Sequence, residues 1–355
     1  MTQRDTVPDM AGQKAMLPEW TPVAAVMLAW PHAATDWRPW LPAIERDYVE
    51  LAAAIAAEVT PLILCRDTGH RQHIEKLLHD CCRHAPRLVI VPYNDTWCRD
   101  YGPVTVAGGS QLQLLDFQFQ GWGEKYDATL DNEINKQLAD IWQVPLQQVD
   151  LQLEGGSIET DGNGTLLTTT QCLLDSGRNP GYDREQLEGF LLEQLGLQRV
   201  LWISEGLLLG DDTDSHIDNL VRFCDERTIA YAGCSRRDDD HYEPLNAMAA
   251  QVRALRQPNG EPYATQAIEI PEAMYDDNGE RLPGSYVNIL ILNDSVLVPV
   301  FDCQQDDLAL ANLQHCFPHR KLVPVPGRNL IRQYGGPHCA TMQLPAGTCN
   351  LETQA

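Results

Sequence analysis

The chain has 355 residues, 43% of them hydrophobic and 21% charged, with a formal charge of −24 at pH 7. Those proportions suit a packed core in one large or two ordinary domains and argue against global disorder. So much net negative charge argues against recognition of nucleic acid or an anionic membrane and favours a small cationic partner.

There are eleven cysteines, an odd number, with no CxxC pair and no repeated spacing. That speaks against a disulfide framework or a zinc ribbon. Reduced thiols suit the cytoplasm. The stretch Met1 to Lys14 is polar and lacks the apolar core of a signal peptide. No run reaches the ~18 apolar residues of a membrane helix.

In chain order, Val23 to Trp30 has the length and apolarity of a strand. Pro39 to Glu58 reads as a helix, Pro61 to Cys65 as a strand, and Thr68 can cap a helix through about Cys82. Arg87 to Val91 is a further strand. A pattern then begins. Val104 to Val106, the Gly108-Gly109 turn and Leu112 to Phe119 make a hairpin, followed by a helix over Leu130 to Trp142 and a strand over Val149 to Leu153. The same order returns over Ser157 to Ile203, where Leu187, Leu191, Leu192 and Leu195 give one apolar helix stripe. It returns over Leu220 to Ile270, and again from a strand at Tyr286 to Leu292 through Leu322 to Val325. A strand–strand–helix–strand unit thus occurs four times. The segment after Cys339 and the N-terminal elements can complete a fifth. Radial repetition of such units is one solution to exposed sheet edges. The expected architecture is α/β: a five-bladed, pseudo-symmetric propeller of ββαβ units. Residues 1–355 would form a single catalytic domain, its first unit closed by the N- and C-terminal segments.

Unusual polar clusters precede the first strands of these units. They are Asn94 to Pro103 with Arg99-Asp100, then Glu154-Gly155-Gly156, Asp211 to Asn219 with His216 and Asp218, and Gly335 to Cys339. Units arranged about an axis would bring Asp100, Glu154, His216, Asp218 and Cys339 to one end of it. Each cluster also has a plain reading: a surface ion pair, a glycine turn, a solvated acidic loop, a buried structural thiol. The alternating Asp212, Asp214, His216 and Asp218 could also take a divalent ion, although no HxH or HExxH motif accompanies them. His32, His70, His73, His79 and His84 are read as surface residues.

One chemistry uses all five residues: attack on a guanidinium carbon. A guanidinium is planar and cationic, and carboxylates can hold its nitrogens bidentately. Asp100 and Asp218 are the candidates to do so. Cys339 would attack, and His216 would protonate the departing nitrogen and then activate water, a role worth roughly 10²–10⁴-fold. Glu154 would orient and charge His216. His338, beside the nucleophile, is left as a positioning residue.

At these motifs the sequence resembles the agmatine deiminase / Porphyromonas-type peptidylarginine deiminase family of the guanidino-group-modifying superfamily. The matching segments include Pro18-Glu19-Trp20, Asn94 to Pro103, Glu154 to Ile158, Arg178-Asn179-Pro180, Asp214 to Asn219, Gly284 to Asn288 and Gly335 to Cys339. The resemblance implies a five-fold α/β propeller, no metal and no cofactor. It implies hydrolysis of agmatine to N-carbamoylputrescine and ammonia, on the way from arginine to putrescine. The family's nucleophile falls on Cys339, its histidine on His216 and its carboxylates on Asp100, Glu154 and Asp218. Substrate contacts fall on Asp100, Asp218, Trp97 and Gly336. A homodimer is compatible with this reading. Departures are Ser215 where glycine is common, Pro337, Met342, and a segment Phe117 to Tyr126 of the shorter bacterial type.

The alternatives are other classes. A free-arginine deiminase carries an extra helical insertion and must bind an α-carboxylate. A peptidylarginine deiminase is expected to be secreted. An amidinotransferase needs an amine acceptor. A non-catalytic binding protein on the same fold would lack the nucleophile.

Overall fold

The structure is a computed structural model that describes residues 14–109 and 111–351. The polar start, residues 1–13, lies outside the described residues. Seventeen strands form five separate sheets among these residues, and the helices lie between and over them.

The sheets repeat one connection. Strand β1 (Lys14–Met16) pairs with a later hairpin, while β2 (Val23–Ala29), β3 (Thr60–Cys65) and β4 (Arg87–Ile90) run parallel to one another. They are linked by helices Leu41–Ala56 and Thr68–Leu78, as parallel strands require a crossover. Covered on both faces, β2 and β3 are almost continuously apolar and buried. Next, β5 (Val104–Gly108) and β6 (Gln111–Gln118) form a hairpin, and β6 is parallel to β7 (Leu146–Gln152). Hairpin β8 (Ile158–Thr160) and β9 (Thr165–Thr169) is followed by β10 (Arg199–Ile203), parallel to β9. The same holds for β11 (Val221–Phe223), β12 (Thr228–Gly233) and β13 (Ala264–Glu269). It holds again for β14 (Leu290–Ile291), β15 (Ser295–Val300) and β16 (Lys321–Pro326). The last strand, β17 (Thr341–Pro345), returns to pair antiparallel with β2 in the order β17-β2-β3-β4.

Helix Arg184–Leu195 shows why these crossovers form where they do. Asp183 and Gln186 make a reciprocal capping box at its start, and Gly196, left-handed at φ +65, ends it. Its buried residues Leu187, Leu191 and Leu195 lie on one stripe, as the spacing predicts.

Four expectations need correction. The second helix is capped by Asp67, whose carboxylate accepts from His70 N, rather than by Thr68, and it ends at Leu78 rather than near Cys82. The helix expected over Leu130 to Trp142 is broken into a 3-10 turn at Asp131–Glu133 and one α-turn at Ile134–Gln137. Its polar side chains bind other segments instead. Asp131 accepts from the N–H groups of Asn94 and Asp95, Asn132 accepts from Phe119 N, and Asn135 donates to Tyr101 O and Asp116. The strand expected over Tyr286 to Leu292 shrinks to Leu290–Ile291, because Arg222 takes the carbonyls of Val287 and Ile289. Finally, His32 is buried rather than at the surface. It packs edge-on against His70 and tilted against Tyr93, and burial lowers its pKa to about 4.

Candidate active site

Each polar cluster is a short irregular segment leading into a strand. Asp100 sits on the single helical turn Cys98–Tyr101 ahead of β5, and Glu154 precedes the 3-10 turn Gly155–Ser157 ahead of β8. His216 and Asp218 bracket the start of the 3-10 turn Ile217–Asn219 ahead of β11, and Cys339 lies two residues ahead of β17. These turns are locked to one another: Arg99 N donates to Cys339 O at 3.1 Å, and Cys98 Sγ donates to Ala340 O.

The structure brings three of the five residues around Gly156 and a fourth, Cys339, against one of them. A Cβ placed there would lie 2.7 Å from His216 Nδ1, 2.8 Å from Asp100 Oδ1 and 3.0 Å from Asp218 Oδ2. Only glycine fits a position that three polar side chains surround. Asp218 Oδ2 in turn accepts from Cys339 Sγ at 3.3 Å. Glu154 stands one step back, with Oε2 3.9 Å from His216 Nε2. Its tighter partner is Arg178, whose Nε donates to both Glu154 oxygens at 3.0 and 2.9 Å. The sequence reading has Glu154 orient and charge His216; the two lie 3.9 Å apart, and Arg178 in turn holds Glu154. Both His216 ring nitrogens lack a hydrogen-bond partner among the described residues, although the residue is fully buried.

Trp97 and Gly335, with Asp100 and Cys339, line a cleft enclosing about 410 Å³ of empty space. A Cβ on Gly335 would strike the Trp97 ring at 2.5 Å, so glycine there lets the indole lie on the backbone. Gly336 is not among the lining residues; it packs against Asn288. Asp212 and Asp214 do not converge on His216. Asp214 binds Lys125 and Arg178, and Asp212 accepts from Tyr126, so the alternating acidic run does not form one ligand set.

Several residues were not assigned from sequence. Asn288 donates to Cys339 Sγ at 3.0 Å and accepts from His338 N and Cys339 N. Trp122 Nε1 and Gly156 N each donate to one oxygen of Asp100. Arg178 and Asn288 stood inside recognised motifs, which was the available signal; Trp122 lay in a segment read only as a branch marker. Ser215, where glycine is common, has φ +67, and Asp214 beside it φ +63. The Asp211 carboxylate, accepting from Ser215 N at 2.7 Å, holds this left-handed turn.

The charges divide the site. Burial opposes a cation on His216, but Asp100, with Cys172 and Glu154, holds its pKa well above the ordinary value. Burial likewise opposes charge on Glu154 and Asp218. Yet His216 and Arg178 keep Glu154 below the usual carboxylate range, and His338 and His216 do the same for Asp218. Asp100 goes the other way: burial, reinforced by Asp218 and Glu154, pushes it up to about 6. Burial, then Asp218 and Asp100, push the Cys339 thiol well above its ordinary value. Without a bound cation the thiol is therefore neutral.

Arg178 has a fully buried side chain. Replacing it with methionine is expected to destabilise the protein by about 3–5 kcal/mol, because Glu154 would be left as an unpaired buried charge. Denaturant unfolding of the purified variant measures this; a loss below about 1 kcal/mol would mean that the pair carries no net weight.

A buried thiol, an imidazole and three carboxylates now stand together in a mixed α/β fold. The family model for Porphyromonas-type peptidyl-arginine deiminase matches residues 15–345. The chain belongs to that family. It is 32% identical to the agmatine deiminase of Ectopseudomonas mendocina, covering 98% of this chain and 99% of that one. It is 30% identical to the agmatine deiminase of Medicago truncatula, covering 92% and 95%. Among solved structures, agmatine deiminase of C. jejuni with substrate bound superposes with a TM-score of 0.86 at 31% identity, covering 93% and 96%.

Proposed function

We propose that the protein hydrolyses agmatine to N-carbamoylputrescine and ammonia through a covalent Cys339 intermediate. The observation that carries this reading is the cleft: Cys339 and Asp100 lie in its wall, with Asp218 against the thiol. Asp100 and Asp218 hold the guanidinium nitrogens and set its carbon at the sulfur. The cationic substrate offsets the two carboxylates that keep the thiol neutral, so thiolate forms as substrate binds. Its attack gives a tetrahedral adduct; His216, already a cation, protonates the departing nitrogen, and ammonia leaves. Neutral His216 then takes a proton from water, which attacks the thiouronium carbon. Collapse returns the thiolate and releases the ureido product. Arg178 and Glu154 keep the imidazole charged at the right stage.

The choice of agmatine rests on the cleft wall. Asp95 and Asp212 line it, and no lysine or arginine does among the described residues. Such a wall suits a second ammonium and gives no partner to the α-carboxylate of free arginine. Four of the five sheets are entered from one of the polar clusters, and the five fit blades about a common axis within one catalytic domain. Eleven free thiols suit a reducing cytoplasm, and the product fits polyamine formation.

Turnover of agmatine, arginine and a peptidyl-arginine substrate, followed by ammonia and ureido product, tests the choice. Agmatine is expected to have the highest kcat/KM, by on the order of 10²-fold, as loss of a buried charge partner would give. Faster turnover of peptidyl-arginine would overturn it.

A further inference from the structure

Cys172 has no step of its own in the reaction proposed above, yet its thiol stands beside the imidazole that has. It lies on the short helix Thr170–Leu173, which follows β9 directly. Thr169 caps that helix, and the Thr169 hydroxyl donates to Ser215 O, which ties Cys172 to the turn carrying His216. Cys172 Sγ lies 4.0 Å from Glu154 Oε2, and Glu154 Oε2 lies 3.9 Å from His216 Nε2. One ligand atom from each of these three buried residues falls within 4.8 Å of the other two. Neither His216 ring nitrogen has a hydrogen-bond partner among the described residues, so a wholly buried imidazole is left open to a ligand.

The donor set selects a class of ion. Thiolate, imidazole and carboxylate together suit a borderline-soft divalent ion of the Zn²⁺ type and not Mg²⁺ or Ca²⁺. Metal–ligand bonds of about 2.0–2.3 Å at the tetrahedral angle place ligand atoms roughly 3.3–3.6 Å apart. The side chains therefore need to close by only about half an ångström. Asp100 Oδ1, 3.6 Å from His216 Nδ1, stands where ligating histidines commonly have an outer carboxylate. A second comparable set among the described residues is Glu19, Glu159 and His338. There both ring nitrogens are engaged, by Asp218 and Glu19, and Arg222 pairs with both glutamates. That set is closed by its own contacts; the one at His216 is not.

We propose that Glu154, Cys172 and His216 bind a Zn²⁺-type ion, and that the bound ion stops the enzyme by taking the imidazole out of acid–base work. The inhibition rests on His216 acting as proposed above; the binding does not. On binding, the S–H bond of Cys172 and the Nε2–H bond of His216 break, both protons leave to water, and S–metal and N–metal bonds form. A coordinating thiol is deprotonated outright. Glu154 adds a third bond: Arg178 Nε donates to both its oxygens, and a carboxylate has about four lone-pair sites. Two positive charges enter and two protons leave, so the buried Arg178 meets the same total charge as before. Asp95, Asp100 and Asp212 line the substrate cleft, whose charge attracts cations, and Asp100 adjoins His216.

Titration of the Cys339→Ser protein with Cd²⁺ tests the site without any turnover, since the other active-site thiol is gone. One equivalent is expected to give the ultraviolet charge-transfer band of a cadmium–thiolate bond. Adding Cys172→Ala should abolish that band and weaken binding, read by calorimetry, by about 100-fold or more, because even outer-shell losses cost 10–100-fold. Where alanine prevents folding, Cys172→Ser, which also lacks a thiol, carries the same test. In the wild type, equimolar Zn²⁺ should lower kcat for agmatine by about 10²-fold or more with KM unchanged, and a chelator should restore it. A band that persists without Cys172, or no band at all, with the wild type turning over agmatine, would overturn the ion site alone. A Cys172-dependent band together with undiminished turnover would leave the site standing and remove His216 from the acid's role.

Discussion

Replacing Cys339 with serine is expected to lower agmatine turnover by roughly 10⁴-fold or more, with the fold and substrate binding retained. The exchange is nearly isosteric at a site that is 4% exposed, so little packing is lost. A hydroxyl in the same place cannot become an effective nucleophile, because the carboxylates that raise the thiol pKa disfavour an alkoxide still more. Asp100 and Asp218, the proposed guanidinium cradle, are untouched. The measurement is ammonia release by purified, folded variant, beside agmatine binding by calorimetry. Ammonia release at the wild-type rate would end the covalent mechanism. The same assay with a chelator separates cysteine chemistry from a metallohydrolase: wild-type activity should not change.

The second large effect is an acid limb in kcat/KM. A carboxyl raised to about 6 is an anion only above that pH. As pH falls through about 6, Asp100 becomes neutral and the guanidinium loses one counter-charge. The value of kcat/KM should therefore fall about tenfold per unit below pH 6. Glu154 and Asp218, held below the usual carboxylate range, stay ionised there and add no limb. Asp100→Asn should abolish the limb and lower kcat/KM at pH 8 by on the order of 10²–10³-fold, the equivalent of an unpaired buried charge. Asp95, lining the same cleft, is also pushed up to about 6 by burial. A limb that survives in Asp100→Asn would belong to Asp95 and would remove Asp100 from the cradle.

The reach of the sequence differed between strands, site and wiring. Apolar runs such as Val23 to Ala29 and capped helices such as Arg184–Leu195 were readable because local pattern and global burial agree there. The convergence of Cys339, His216, Asp218, Asp100 and Glu154 was readable because their neighbours, glycines and acidic turns, break the strand pattern. Asp131, Asn132 and Asn135 misled, since an amphipathic spacing cannot show that polar side chains will be used by Asn94, Phe119 and Tyr101. The contacts that join Glu19, Arg99, Arg222, Glu159 and Gln343 into one polar set could not be read from the sequence. Its members lie on five separate segments, and only packing shows that Glu19 bridges Arg222 to His338.

The pairing of β17 with β2 has one more consequence. Met342 lies opposite Met27, more than 300 residues away in the chain. Closing so long a loop is entropically late, and contacts of this range set slow steps in folding. Cys339 stands two residues ahead of that seam, so its thiol is expected to meet Asp218 late in folding, after the intervening sheets have formed. A partly folded chain thus holds an ordinary cysteine among ten others. Under the proposed mechanism the reactive centre depends on this long-range pairing, and local opening of the seam is expected to switch off the chemistry before the rest of the protein unfolds.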